Sequence, residues 1–166
     1  MGFGLSSFMP LIIVNRITLT FGLLFSTIVF SLATYAEEKM IPLSEYVKSQ
    51  NMEDPNVLFY TSTRCAAINF RVAYQSQNDD KQKELYERSS LTGETFSQMA
   101  ILVRQTTQSE DTPLENKKAA VNVISLITEE YGNIMNDNYV KTGEYFTDWM
   151  IEDLSTCSRL YELARK

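Results

Sequence analysis

Hydrophobic and polar residues follow one another along most of this chain with the period of an α-helix. Apolar and small side chains recur every three or four positions, the spacing that puts them on one helical face. The pattern predicts a short helix within residues 41–50 and long helices over 55–75, 80–107, 113–136 and 142–164. Few glycines and prolines interrupt these stretches, which also favours helices.

Local start signals support several of these helices. Asp54-Pro55 places a carboxylate at the N-cap and proline at the first helical position, where its missing N–H costs nothing. Thr112-Pro113 followed by Glu115 reads as a capping box. Ser44 is the expected cap of the short first helix.

The four long helices are joined by short polar links. Short connections favour antiparallel neighbours. The predicted fold is therefore all-α, an up-down-up-down four-helix bundle preceded by an N-terminal signal or anchor helix.

An uncharged, largely apolar run of 20 residues covers Ile17 to Ala36, after Arg16. A basic residue, an apolar core and a small-residue exit make up a secretory signal. We expect residues 1–36 to be a signal peptide cleaved after Ala36, which leaves residues 37–166 as the bundle domain. The alternative is an uncleaved membrane anchor, because such a helix is about 30 Å long, enough to cross a hydrocarbon core.

Composition excludes several classes of site. The 166 residues include no histidine and only two cysteines. Histidine-dependent triads, histidine-ligated metals and four-thiolate clusters are therefore excluded. The net charge of −6 argues against a nucleic-acid partner, since phosphates bind basic surfaces. No cofactor and no metal site is expected.

Cys65 and Cys157 both lie in predicted long helices. Disulfides persist in the oxidising compartments that exported proteins reach, so a single pair is expected to be bonded. Cys65 lies about 15 Å from the start of the first long helix, and Cys157 lies about 10 Å from the end of the last one. If these helices are antiparallel neighbours, the two cysteines lie at nearly the same height. The sequence therefore predicts a Cys65–Cys157 disulfide, and two separate buried thiols are the alternative.

The same alignment of the two cysteines brings polar side chains together. Asn69 then lies opposite Asp153, and Arg71 lies between Asp148 and Glu152. Asp153 falls on the apolar stripe of the last helix, so a buried carboxylate there needs a partner. We predict a buried polar network in which Asn69 hydrogen-bonds Asp153 and Arg71 pairs with one of the two neighbouring acids. Exposure of these groups to solvent is the alternative.

The densest aromatic group lies near the entry of the last helix and comprises Tyr139, Tyr145, Phe146 and Trp149. Exposed aromatic side chains often anchor protein partners. The group is therefore a candidate partner-binding patch. The alternative is that it closes one end of the bundle.

Arg64 directly precedes the first cysteine. We expect it to form a surface or inter-helix ion pair, with a small anion pocket as the alternative. The string Arg64-Cys65-Ala66-Ala67 follows an apolar leader and has one distant cysteine. In this it resembles small uncharacterised exported helical proteins of aquatic proteobacteria. That resemblance implies no activity.

These observations point to an exported, non-enzymatic binding module whose partner is a protein or a small ligand. The expected location is the periplasm or the outside of the cell. The alternatives are a membrane-anchored accessory subunit with the bundle outside the cytoplasm, and an enzyme that relies on carboxylates and tyrosine. Membrane contact is expected only through residues 17–36, if they are kept.

Overall fold

The computed structural model describes residues 40–165, which contain five α-helices and one 3-10 turn. They are α1 (Leu43–Ser49), α2 (Pro55–Ser76), the 3-10 turn (Asp80–Gln82), α3 (Lys83–Thr107), α4 (Pro113–Thr142) and α5 (Asp148–Ala164). The prediction of an all-α bundle with four long helices is confirmed, and α1 is a short addition to it.

Helix α2 is the central element of the bundle. It begins as predicted, with Pro55 in its first turn and the Asp54 side chain accepting a hydrogen bond from the Asn56 N–H. It contacts each of the other four helices. Small side chains such as Ala66 and Ala67, both fully buried, allow those neighbours to approach closely.

Gly93 shows how tightly α3 packs on α2. A Cβ atom at this position would lie 2.7 Å from Cδ1 of Phe70, well inside van der Waals contact. Glycine usually weakens a helix interior. Here its missing side chain makes room for the Phe70 ring.

The turn from α3 to α4 follows the sequence prediction. The Thr112 hydroxyl accepts from the Glu115 N–H, and a Glu115 carboxylate oxygen accepts from the Thr112 N–H at 2.8 Å. The predicted capping box is therefore confirmed. Buried Asn116 adds hydrogen bonds from Nδ2 to the carbonyls of Gln108 and Asp111.

Helix α4 is longer, and α5 starts later, than the sequence predicts. We expected α4 to stop within Asn136–Asn138, but it continues to Thr142 and ends at Gly143, whose φ is +80°. Glycine adopts this left-handed conformation without strain and terminates the helix. Asn138 instead stays helical and donates to the carbonyl oxygen of Glu144 at 2.8 Å.

None of the helices within residues 40–165 combines the length and the apolar character needed to cross a membrane. The predicted leader, including its apolar run over 17–36, lies outside the described residues. Its cleavage or retention stays a prediction.

Candidate functional site

The predicted disulfide between Cys65 and Cys157 is confirmed. It joins α2 to α5 across a sequence separation of 92, with the two Cα atoms 5.4 Å apart. Both cysteines are fully buried. The bond indicates that the protein folds in an oxidising compartment.

A buried ion pair lies beside this bond. Arg64 precedes Cys65, and Asp153 lies one helical turn before Cys157. The Arg64 Nη2 donates to Asp153 Oδ2, and both side chains are completely shielded from solvent. An isolated charge in such a place is unfavourable, so the pair depends on the groups around it.

Three donors from three elements hold the Asp153 carboxylate. Besides Arg64 of α2, the Tyr131 hydroxyl of α4 donates to Oδ2 at 2.5 Å. The backbone N–H of Leu43, at the start of α1, donates to Oδ1 at 2.6 Å. Asp153 therefore links four helices, since it is itself part of α5.

The Arg64 guanidinium is also surrounded by partners. Its Nη1 donates to the Ile41 carbonyl at 2.6 Å and to the Tyr60 hydroxyl at 3.4 Å. Its Nε donates to the Tyr131 hydroxyl at 3.2 Å. The Tyr60 and Tyr131 rings lie 5.7 and 5.9 Å from its Cζ, close enough for cation–π attraction.

Helix α1 packs against the buried ion pair and against α5. Leu43 is fully buried, and the Ser44 hydroxyl donates to the Glu152 carboxylate. The prediction that Ser44 caps α1 is wrong, because Pro42 occupies the N-cap and Ser44 faces α5 instead. The Tyr46 ring lies 4.6 Å from that of Tyr60 on α2.

Burial and charge set the protonation of the cluster. Burial raises the pKa of the Tyr131 phenol far above its ordinary value. Arg64 opposes that increase and Asp153 adds to it. Burial alone would lower the pKa of Arg64, but the neighbouring Tyr131 and Asp153 raise it on balance. Tyr131 therefore stays a neutral donor and Arg64 stays a cation.

This arrangement suits a structural role, joining helices, better than a reactive centre. Arg64, Tyr131 and Asp153, which we call the buried cluster, are each fully buried. Each of their side-chain polar groups is hydrogen-bonded to another of the three or to a neighbouring residue of α1 and α2 or the segment before α1. A catalytic acid or base must reach a substrate atom. In this cluster the carboxylate is enclosed by α1, α2, α4 and α5.

Two predicted contacts of the polar network are wrong. The Asn69 Nδ2 donates to the Cys65 carbonyl of its own helix at 2.9 Å instead of meeting Asp153. A short amide side chain is satisfied locally, whereas the long side chain of Arg64 reaches the carboxylate. Asp153 is buried and partnered, as expected, but by different residues.

Arg71 does not pair with Asp148 or Glu152. Both acids are exposed on α5, and Glu152 accepts from Ser44. Arg71 is directed towards α4 instead, where a Cβ atom on Gly132 would lie only 3.1 Å from its Cζ. Within the described residues, no carboxylate lies within 4.0 Å of it.

The predicted aromatic patch divides into two parts. Tyr139 and Tyr145 stack with ring centroids 4.4 Å apart and are 48% and 40% exposed. Trp149 is half-buried and stacks on Tyr131, at 5.9 Å. Phe146 is also half-buried. We call these four residues the aromatic corner. Trp149 lies against Tyr131 of the buried cluster, and the outer part, Tyr139 and Tyr145, faces solvent.

Sequence reasoning missed Tyr131 and Leu43 as partners of Asp153. Tyr131 carried a usable signal, because a tyrosine on an otherwise apolar helical face needs a partner for its hydroxyl. Leu43 carried none, since it contributes only a backbone N–H. The expected inter-helix ion pair of Arg64 does form, deep inside the bundle.

Over residues 40–165, no three carboxylate or thiol side chains come together in a way that could hold a metal ion. Comparison with protein families, with curated proteins and with solved structures finds no match to this chain.

Proposed function

We propose that this protein is an exported, non-enzymatic binding module, a disulfide-stapled helical bundle that docks a protein partner through the aromatic corner. One observation carries the proposal. The charged side chains of Arg64 and Asp153 are fully buried inside the bundle, whereas the stacked rings of Tyr139 and Tyr145 are exposed to solvent.

The disulfide supports export, because such bonds form and persist outside the cytosol. The predicted leader over residues 1–36 supports it independently. In the periplasm or outside the cell, the bond would stabilise a small bundle by limiting the freedom of the unfolded chain.

The outer part of the aromatic corner has the character of a partner surface. Tyr139 and Tyr145 are large amphipathic side chains with little conformational entropy to lose, the type that dominates binding energy at interfaces. Their neighbour Val140 is 84% exposed. The stacking fixes both rings before binding, and this lowers the entropic cost of association.

Export and processing are tested together by intact mass. We expect protein recovered from the cell envelope to begin after Ala36. Before reduction its mass should be lower by two hydrogen atoms than after reduction, because Cys65 and Cys157 are bonded. A mass that includes residues 17–36 would support the membrane-anchored accessory subunit instead. A cytosolic protein with free thiols would contradict export.

Partner docking is tested with a photo-crosslinking residue at Val140 in living cells. We expect one discrete adduct, identified by mass spectrometry, that disappears in Tyr139→Ser/Tyr145→Ser. Leu126→Ser is the matched control, because Leu126 is an apolar residue on the same helix and is 67% exposed. An adduct with a second copy of the chain would make the corner a self-association surface. Equal adducts in all three proteins would contradict the proposal.

A further inference from the structure

A second arginine of α2 points into a groove that the buried cluster does not use. The groove lies between α2, α3 and α4 and has a volume of about 560 Å³. Its walls are mainly apolar, from Phe70, Val121 and Ile124, and its polar groups are Arg71, the hydroxyls of three Ser and Thr residues, and Glu129 at an exposed position.

Among residues 40–165, Arg71 has no charged partner. Its Cζ lies 5.1 Å from the centroid of the Tyr74 ring, and its buried Nε has no hydrogen-bond partner in this part of the chain. Gly132 leaves the α4 backbone open to the guanidinium, since a Cβ there would meet Cζ, Nε and Nη1 within 3.4 Å. A fixed and unsatisfied guanidinium is suited to an anion.

We propose that this groove binds a small amphipathic monocarboxylic acid, with the carboxylate on Arg71 and the apolar body against Phe70, Val121 and Ile124. A guanidinium is planar and matches a carboxylate with two parallel hydrogen bonds. The apolar walls would bury the rest of the ligand. The site is separate from the aromatic corner and does not depend on it.

The charges around the groove favour a single negative charge on the ligand. Glu129 is part of the lining, and the whole chain carries a net charge of −6. A phosphate dianion or a polyanion would meet repulsion from both, whereas a monocarboxylate is matched by Arg71 alone. A neutral or cationic amphiphile would leave the guanidinium unpaired.

The test uses the exported chain and three probes with the same apolar body: octanoate, 1-octanol and octylamine. Titration calorimetry and amide NMR shifts report binding and its location. We expect octanoate to bind at least about tenfold more tightly than octanol, as a charge-assisted hydrogen bond contributes. Shifts should concentrate at Ser125 and Thr128. 2-Naphthoate and 2-naphthol repeat the comparison with an aryl body.

Arg71→Met should reduce octanoate affinity to that of octanol. Arg88→Met is the matched control, because it removes the same charge from an arginine that touches Ser158 on α5 instead of the groove; we expect no change. Circular dichroism and the intact disulfide verify folding of both variants.

Three results would overturn the proposal. The first is an equal affinity of the wild-type protein for each acid and its alcohol. The second is an unchanged affinity for octanoate in Arg71→Met. The third is that neither acid binds at about 10 mM, because a dissociation constant above the millimolar range would mean that the groove provides no specific binding. The first comparison needs no variant, so the proposal stays testable even if Arg71→Met does not fold.

Discussion

Arg64 and Arg71 lie about two turns apart on the same helix and both lie over tyrosine rings, yet only Arg64 has a charged partner among the described residues. Arg64 pairs with Asp153 and meets Tyr131. Arg71 lies against the next residue of α4, Gly132, and has no carboxylate partner among the described residues. The two arginines therefore approach nearly the same point of α4 from different heights along α2.

The difference comes from α1 and α5, which meet at Arg64. α5 supplies the carboxylate, and the segment before α1 supplies the Ile41 carbonyl to the guanidinium. Without such partners an arginine can only be stable where water still reaches part of it, as at Arg71. Arginine on one helix thus joins helices at position 64, whereas at position 71 its guanidinium is free to bind a ligand.

The largest test of the Arg64 side is removal of the neighbouring covalent bond. Cys65→Ser/Cys157→Ser should lower the free energy of unfolding by roughly 4 to 5 kcal/mol, as the chain-entropy model gives for a loop of this length. Urea unfolding of the oxidised protein and the double variant measures the loss. Similar midpoints for both proteins would contradict a stabilising role of the disulfide.

Asp153→Asn should be almost as damaging. The substitution keeps the shape of the side chain but leaves Arg64 buried without a counter-charge, which costs about 3 to 5 kcal/mol. Glu162→Gln, an exposed acid on the same helix, is the control and should change stability by less than about 0.5 kcal/mol. Equal effects of the two variants in urea unfolding would show that the buried carboxylate stabilises the fold no more than an exposed one does.

Tyr131→Phe should have an intermediate effect, about 1 to 3 kcal/mol, because it removes one donor from a buried carboxylate. Its size should depend on pH. Since the pKa of Tyr131 is raised in the folded protein, its contribution is complete below the ordinary tyrosine pKa of about 10 and decreases as the pH rises beyond it. Urea unfolding at pH 8 to 11, roughly, would show the gap between the two proteins narrowing; a gap that widened would contradict the buried neutral phenol.

Arg71→Met should change stability least, by less than about 0.5 kcal/mol. No described carboxylate loses a partner, and the methionine side chain can still pack on Gly132 and Tyr74. Thermal unfolding of this variant beside Asp153→Asn gives the contrast directly. A loss comparable to that of Asp153→Asn would show that Arg71 is as firmly paired as Arg64.

The helices and the disulfide could be predicted because their signals are local or few. Helical periodicity, Asp54-Pro55 and the Thr112 capping box each act over one or two turns. With only two cysteines in the chain, one pairing was possible. The end of α4 was misjudged because Asn136–Asn138 look like a helix stop, although the glycine that ends the helix comes at Gly143.

The partners of Asp153 could not be predicted in the same way. Alignment of the two cysteines treats α2 and α5 as straight neighbours whose facing residues meet, and this selects Asn69 as the partner of Asp153. In the structure the length of the Arg64 side chain and a backbone N–H from Leu43 decide the contact. Neither the reach of a side chain nor the docking of a short helix is visible in residue spacing.

The disulfide and the buried ion pair can both form only after the final helix, α5, has been made. Asp153 and Cys157 belong to α5, whereas Leu43, Arg64, Cys65 and Tyr131 all precede them in the chain. During synthesis or secretion, the earlier helices must therefore emerge with an unpaired guanidinium and a free thiol. The native state is therefore stabilised only when the last turns of α5 are present. We expect a truncated chain that lacks them to be more sensitive to proteases.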